Sequence, residues 1–391
     1  MNDFIYYAPT KVFFGKKAEE NIGSALNNFG FKKVLLHYGG GSIKKSGLYD
    51  KVVGQLKSAG IDFIELGGVE ANPKIGLIRE GLELCKREGV DFILAVGGGS
   101  VIDSAKSMSI GLANNTDPWE MIEKLQVPEK ALPVGAVLTL AAAGSEMSNS
   151  HVVSNPEIKM KRGYNHDLLR PVVIFMNPEN TFTVSRHQTG CGVVDIMTHT
   201  LERYFTPDTD ADLMDRISEG LLVSVKNAGT AAIRTPNDYE ARATLMWASS
   251  LSHNGLTGCG KNGPWAAHKM EHDISGLFDN VAHGAGLSVL FPAWSRFVCK
   301  HDVRKFSQIA TRVWGVDMDF EHPEKTAHAG IDAMEAYFRS LGMPTKMAEI
   351  GVTPDVFEKL ADMTTSNGTK QLASYVPLGK TEIMEIYKLA Q

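Results

Sequence analysis

Through the first half of the chain, short apolar runs alternate with stretches whose apolar positions recur at helical spacing. KVLLHY (33–38), IDFIEL (61–66), DFILAV (91–96), LPVGAVLTL (132–140) and PVVIFMNP (171–178) read as strands. Residues 46–58, 74–89 and 100–114 between them read as helices. Strands with near-continuous apolar runs, separated by helices, predict a parallel sheet with crossover helices. Beyond about residue 184 the strand signal fades. Helical patterns then cover 185–204, 210–229, 237–256, 303–314, 325–341 and 354–364. The pattern therefore predicts an α/β N-terminal domain with a parallel sheet over 1–184, followed by an all-α C-terminal domain over 185–391. No low-complexity linker separates the two, and the cleft between two such domains is the expected ligand site.

Composition narrows the picture. A chain of 391 residues is long enough for two cores, and 43% hydrophobic with 22% charged residues is ordinary for a globular protein. A formal net charge of −5 gives no electrostatic reason for a nucleic-acid partner, and the basic spot KMKR (159–162) is too short to supply one. The four cysteines are scattered and form no CxxC pair, which fits a reducing cytosol better than a disulfide framework or a thiolate metal site. The N-terminus lacks the basic start and apolar core of a signal peptide. The longest apolar run, around 134–144, falls short of a membrane span. A soluble cytoplasmic protein without a membrane partner is expected.

Two segments carry candidate phosphate chemistry. YGGGSIKKSG (38–47) and VGGGSVIDSAK (96–106) each follow a strand and open a helix. Consecutive glycines let a backbone approach a ligand closely, and a helix N-terminus offers unpaired N–H groups to an anion. Neither segment is the spaced G-x-G-x-x-G fingerprint or a P-loop. Two in one α/β half point to a nucleotide with a pyrophosphate, chiefly at the second. After the first strand come Gly39, Gly40, Gly41 and Ser42, then Lys44 and Lys45, with no carboxylate in that run to repel a 2′-phosphate. NADP is thus allowed there, though a plain glycine turn with two solvated lysines reads equally well.

The helical half carries candidate metal chemistry. In GCGVVDIMTHTLERYF (190–205), Asp195 and His199 lie one turn apart on a helical face among apolar residues. An inward carboxylate is costly unless a donor or a positive charge meets it. WAAHKMEHDISGLFDNVAHGAGLSVLFPAW (265–294) adds His268 and His272 at the same spacing, and His283 before a glycine turn. One carboxylate with two or three imidazoles suits a divalent metal, which would neutralise Asp195. A zinc-peptidase reading fails because Lys269, not Glu, follows His268.

With these motifs in hand, the sequence resembles the iron-containing (group III) alcohol dehydrogenases, in particular their butanol dehydrogenase and broad aldehyde reductase branch. The resemblance runs from PTKVFFG (9–15) through GGGSIKKSGLYD, AVGGGSVIDSAK, LTLAAAGSEM, DIMTH and HKMEH to AHGAGL. It implies a Rossmann-like first domain, a helical second domain of the dehydroquinate synthase-like architecture, and a metal in the cleft. Carried over by residue, Asp195, His199, His268 and His283 are the implied metal ligands, with Fe²⁺ first and Zn²⁺ second. His272 matches a catalytic-site histidine near the nicotinamide that is not a ligand. Gly98, Gly99 and Ser100 match the pyrophosphate loop, with Asp103 at the family spacing. Thr139, Lys161 and Asn72 match cofactor-edge positions. Gly40 and Ser42 match a loop that accepts a 2′-phosphate, so NADP is preferred and NAD allowed. Two departures stand out: Ala143 replaces the threonine usual before GSE, removing one cofactor hydrogen bond, and the His272–His283 gap is one residue longer than usual.

The implied reaction is reversible hydride transfer between NAD(P)H and a small aldehyde or primary alcohol of butanol type. Two other outcomes are open on this fold, a metal- and nicotinamide-dependent lyase resembling dehydroquinate synthase, and a catalytically silent relative. The lyase calls for a basic cleft, and the helical half shows no comparable Arg/Lys cluster. The family's N-terminal strand pairing implies a homodimer through residues 1–15.

Overall fold

The computed structural model describes residues 1–208 and 210–391. Its contacts divide the chain into two compact units, one of Tyr7–Val184 with Thr235–Asn254, the other of Met1–Tyr6, Ser185–Arg234 and Gly255–Gln391.

The first unit is built on six strands: β1 (Lys11–Phe14), β2 (Lys33–Gly39), β3 (Asp62–Val69), β4 (Phe92–Gly97), β5 (Val134–Leu138) and β8 (Val173–Met176). They form one sheet in the order β1-β8-β5-β4-β2-β3, and every pairing is parallel. Successive residues of one strand feed opposite cores. Leu35, Ile93, Ala95, Ala136 and Ile174 pack on one face, while Val34, Leu36, Phe92, Leu94, Val96, Val137 and Phe175 pack on the other. A sheet covered on both sides needs apolar residues at every position, which is why these strands read as continuous runs.

The strand order reverses between β2 and β4: the chain moves outward from β2 to β3, then returns to lay β4 on the far side of β2. Both glycine segments leave the carboxyl ends of these two neighbouring strands. The crevice at such a switch point is where open α/β sheets bind ligands. An antiparallel hairpin of β6 (Ser150–Asn155) and β7 (Met160–Asn165) also belongs to this unit.

The helix Tyr239–His253, grouped with the helical half on sequence grounds, packs in the sheet-bearing unit. Its polar anchors explain this. Ser250 Oγ donates to the buried Glu146 carboxylate at 2.6 Å, and His253 Nε2 lies 2.8 Å from Ser150 Oγ. Residues 1–6 likewise leave the sheet unit for the helical one, where Asn2 N–H donates to the Gly260 carbonyl at 3.0 Å.

The helical unit is centred on Arg186–Tyr204, capped by the Ser185 hydroxyl, which accepts from Gln188 N–H. Its residues are buried nearly all round, among them Asp195, His199, Glu202 and Arg203. Asp212–Arg234 and His283–Val298 pack against it, and Ala266–Leu277 packs on His283–Val298. None of the helices among the described residues is long and apolar enough to cross a membrane.

Candidate functional site

Three helices converge on Asp195. Its Oδ1 lies 3.6 Å from His199 Nδ1, 3.8 Å from His268 Nε2 and 3.7 Å from His283 Nε2. Ligand atoms of Asp195, His199 and His268 all lie within 4.8 Å of one another, and all three residues are buried. Asp195 Oδ1 is buried and makes no hydrogen bond, and neither ring nitrogen of His268 makes one. Buried polar atoms are almost always paired, so this grouping calls for an explanation. Two ligands held by one ion at about 2.0–2.2 Å in tetrahedral geometry stand about 3.3–3.6 Å apart. The observed gaps are near that spacing and beyond hydrogen-bond reach. A borderline divalent ion such as Fe²⁺ or Zn²⁺ also suits this nitrogen and oxygen donor set.

The packing that gathers these groups depends on two glycines. A Cβ on Gly284 would fall 2.2 Å from the Cys191 carbonyl oxygen, so only glycine lets the helix starting at His283 settle on the helix of Asp195. A Cβ on Gly286 would meet Glu271 Cγ at 2.8 Å, which fixes the approach to the helix of His268. Between His272 and His283, the turn 278–282 closes with a Val281 N–H to Phe278 carbonyl bond of 3.0 Å.

Carboxylates dominate the electrostatics around His268. Burial opposes charge on His268, but the Asp195 and Glu202 carboxylates outweigh it and raise its pKa to about 9. His199 and His268 stack, with ring centroids 4.6 Å apart. Trp265 crosses both rings edge-on from a left-handed backbone position (φ 58°), and the Arg203 guanidinium covers its face at 4.3 Å. His272 is half-buried, its ring 5.6 Å from that of His283, and it forms a second potential donor group with Glu271 and His283.

In the sheet unit, Gly98 caps the helix Gly99–Asn114, and Gly99 and Ser100 form its first turn at the end of β4. Thr139 continues β5, donating its N–H to the Gly97 carbonyl at 3.0 Å. Ala143 borders the same loop, 3.4 Å from where a Cβ on Gly99 would lie. Gly40 and Ser42 are exposed at the end of β2. Asn72 follows β3 in the left-handed region at φ 54°. Asp103 is directed into the fold: it accepts from Ser145 Oγ at 2.5 Å and from Val152 N–H at 3.0 Å. Burial raises its pKa, opposed by the Lys106 ammonium. Lys161 lies buried on β7, opposite Ser154 of β6.

Several residues emerge only in three dimensions. Glu65 on β3 stands 3.9 Å from Lys44 Nζ and accepts from the Tyr38 and Tyr49 hydroxyls at 2.8 and 2.5 Å. A carboxylate distant in sequence therefore does reach the first glycine loop. Lys106, fully buried, donates to the carbonyls of Ser145, Ser148 and Ser150 and pins the segment leading into β6. Glu202 and Glu271 lie beside His268 and His283. The last two had a signal, since each follows a histidine three residues earlier, in HTLE and HKME.

The fold and the site together define a class: α/β nucleotide-binding enzymes that carry a carboxylate–imidazole cluster on a helical unit. Residues 9–178 match the model of the iron-containing alcohol dehydrogenases, and 189–391 match the C-terminal model of the same family. The chain belongs to the iron-containing alcohol dehydrogenase family, and it is a metal- and nicotinamide-dependent oxidoreductase acting on alcohols and aldehydes. It is 41% identical to NADH-dependent butanol dehydrogenase A of Clostridium acetobutylicum, over 99% of each chain. It is 33% identical to an NADPH-dependent aldehyde reductase of Escherichia coli, over the full length of both. The crystal structure of an NADH-dependent butanol dehydrogenase A from Thermotoga maritima superimposes with a TM-score of 0.96 at 36% identity, covering 100% of this chain and 99% of that one. Membership sets aside the lyase reading.

Proposed function

We propose that the protein reduces small aldehydes, and oxidises the corresponding primary alcohols of butanol type, by hydride exchange with a nicotinamide cofactor. The observation that carries this reading is the buried, unbonded Asp195 Oδ1 with three imidazole nitrogens at 3.6–3.8 Å. Asp195, His199, His268 and His283 are the residues that would hold the ion, iron first and zinc second. When bound, a divalent ion there supplies Lewis acidity toward the aldehyde or alcohol oxygen. The proton that His268 otherwise holds would be displaced by an ion, and three neutral imidazoles with one carboxylate would then leave the site with net positive charge, suited to a developing alkoxide. The N–H groups of the Gly98–Ser100 turn and the dipole of its helix would hold the pyrophosphate of the cofactor. His272, half-buried beside His283, passes the alcohol proton outward. Relatives named butanol dehydrogenases support the substrate class.

NADP is the preferred cofactor in this reading, on the strength of the open Gly40–Ser42 loop and the exposed Lys45. One observation favours NAD instead: Glu65 and two tyrosine faces already occupy Lys44, and the more similar relatives are named as NADH-dependent. The four free thiols fit a cytoplasmic enzyme. Initial rates with NADPH and NADH over a series of straight-chain aldehydes test both points. A maximum near four carbons with a higher kcat/KM for NADPH is expected. Turnover of none of the aldehydes with either cofactor would contradict the substrate reading, and a higher kcat/KM for NADH would reverse the cofactor preference.

A further inference from the structure

The helices of His199 and His268 each carry a glutamate three residues after the histidine, and each glutamate reaches a histidine on another helix. Glu202, on the His199 helix, crosses to the next helix. Its Oε1 accepts the N–H groups of Ala267 and His268 at 2.7 and 3.2 Å and lies 3.6 Å from His268 Nδ1. Glu271, on the His268 helix, crosses in turn to the third, where its Oε2 meets His283 Nδ1 and its Oε1 accepts from Ser275 Oγ. Both carboxylates are buried, at 2% and 0% exposure, where an ionised group without a function is expensive. Glu202 Oε2 is buried with no hydrogen-bond partner, as is His268 Nδ1.

We propose that Glu202 and Glu271 are positioning residues that hold the Nδ1 edges of His268 and His283, so that both rings turn Nε2 toward Asp195. This rests on the metal-site reading above and extends it to the groups that aim the ligands. At His283 the Glu271 carboxylate can accept Nδ1–H, which fixes the imidazole tautomer and leaves the Nε2 lone pair free for an ion, whereas at His268 Glu202 faces Nδ1 from 3.6 Å as a counter-charge and holds the ring through the backbone N–H groups it accepts. The crossed arrangement makes the centre a chain: the helix that presents one ligand also orients the ligand on the next. Glu202 has a second function on the same path, because accepting two backbone N–H groups caps the helix that carries His268. Gly286 leaves room for the Glu271 side chain, since a Cβ there would fall 2.8 Å from Glu271 Cγ.

The test is metal affinity rather than turnover. Full-length protein is stripped with a chelator and titrated with Zn²⁺ against a competing chromophoric chelator. Wild type is compared with Glu271→Gln, Glu271→Leu, Glu202→Gln and Asp195→Ala, and thermal midpoints of the stripped proteins monitor folding. Removing such partners typically costs about 10–100-fold in affinity. Glu271→Leu is expected near the upper end of that range and Glu271→Gln near the lower, because the amide oxygen still accepts Nδ1–H. That graded rescue, together with an altered visible spectrum of the Co²⁺-loaded variants, separates orientation from packing. Binding within twofold of wild type in all three glutamate variants, while Asp195→Ala loses it, would overturn the proposal and leave the metal site standing. Wild-type affinity in Asp195→Ala would overturn the metal site and this proposal together. Two tightly bound ions per chain would also overturn it, by making Glu271 and His272 ligands.

Discussion

Asp195 is buried to 4% exposure among valine, isoleucine and methionine, and its Oδ1 receives no donor. Desolvating a carboxylate costs several kcal/mol after relaxation, so a positive partner must offset it. Asp195→Ala is therefore expected to lose bound metal and to lower turnover by more than the ~10–100-fold attributed to outer partners. Metal analysis of the purified variant beside its rate checks this. Ala143 borders the Gly98–Gly99 turn, and Ala143→Thr would add a hydroxyl there. A lower KM for the nucleotide with little change in kcat is expected from steady-state kinetics. Elsewhere, burial lowers the pKa of His37 to about 4 and that of His151 to about 3. Below pH 6.5 the unfolded chain binds protons that these folded histidines refuse, so stability falls as pH drops from 6.5 toward 4. By linkage each contributes a loss of roughly 1.5 kcal/mol between pH 6.5 and 5. Urea unfolding at the two pH values should show it, and His37→Gln should recover about half. The Asp195/His199 spacing was legible in the sequence because a helix fixes which residues share a face. The partners of Lys44 were not, because Glu65 reaches it through tertiary structure.

At the level of elements, the site depends on how closely three helices approach. Gly284→Ala places a methyl against the Cys191 carbonyl, and such overpacking costs roughly 1–3 kcal/mol. The expected result is a lower thermal midpoint together with weaker metal binding, since the displaced helix carries His283. The strands of the parallel sheet read clearly because burial on both faces leaves a continuous apolar run. The β6–β7 hairpin did not: MKRGYN lacks apolar alternation, and its place is set by Asp103 and the buried Lys106 rather than by its own pattern. The helix read at 303–314 becomes α-helical over Val303–Ile309 and then widens to a π-turn over Ala310–Trp314. Helical periodicity alone does not mark that change. The grouping of Tyr239–His253 with the helical half was mistaken for a related reason. Type of element and unit of packing are separate properties, and Ser250 and His253 bind partners in the sheet unit.

For the whole molecule, Phe4, Ile5, Tyr6 and Tyr7 are exposed near the N-terminus, and β1 ends the sheet with one edge unpaired in the sheet order. Exposed apolar side chains beside an open strand edge are a template for association. A homodimer through residues 1–15 is proposed, with a sedimentation mass twice the 42.6 kDa of the chain. Ile5→Asp is expected to shift it toward monomer, and a monomeric wild type would contradict the proposal. The most direct measurement is NADPH- and NADH-dependent reduction of butyraldehyde by chelator-stripped protein, before and after anaerobic addition of Fe²⁺ or Zn²⁺. No turnover is expected when stripped, and restored turnover with metal, in wild type but not in Asp195→Ala. Undiminished turnover by fully stripped protein, or none after metal is bound, would contradict the proposed reaction.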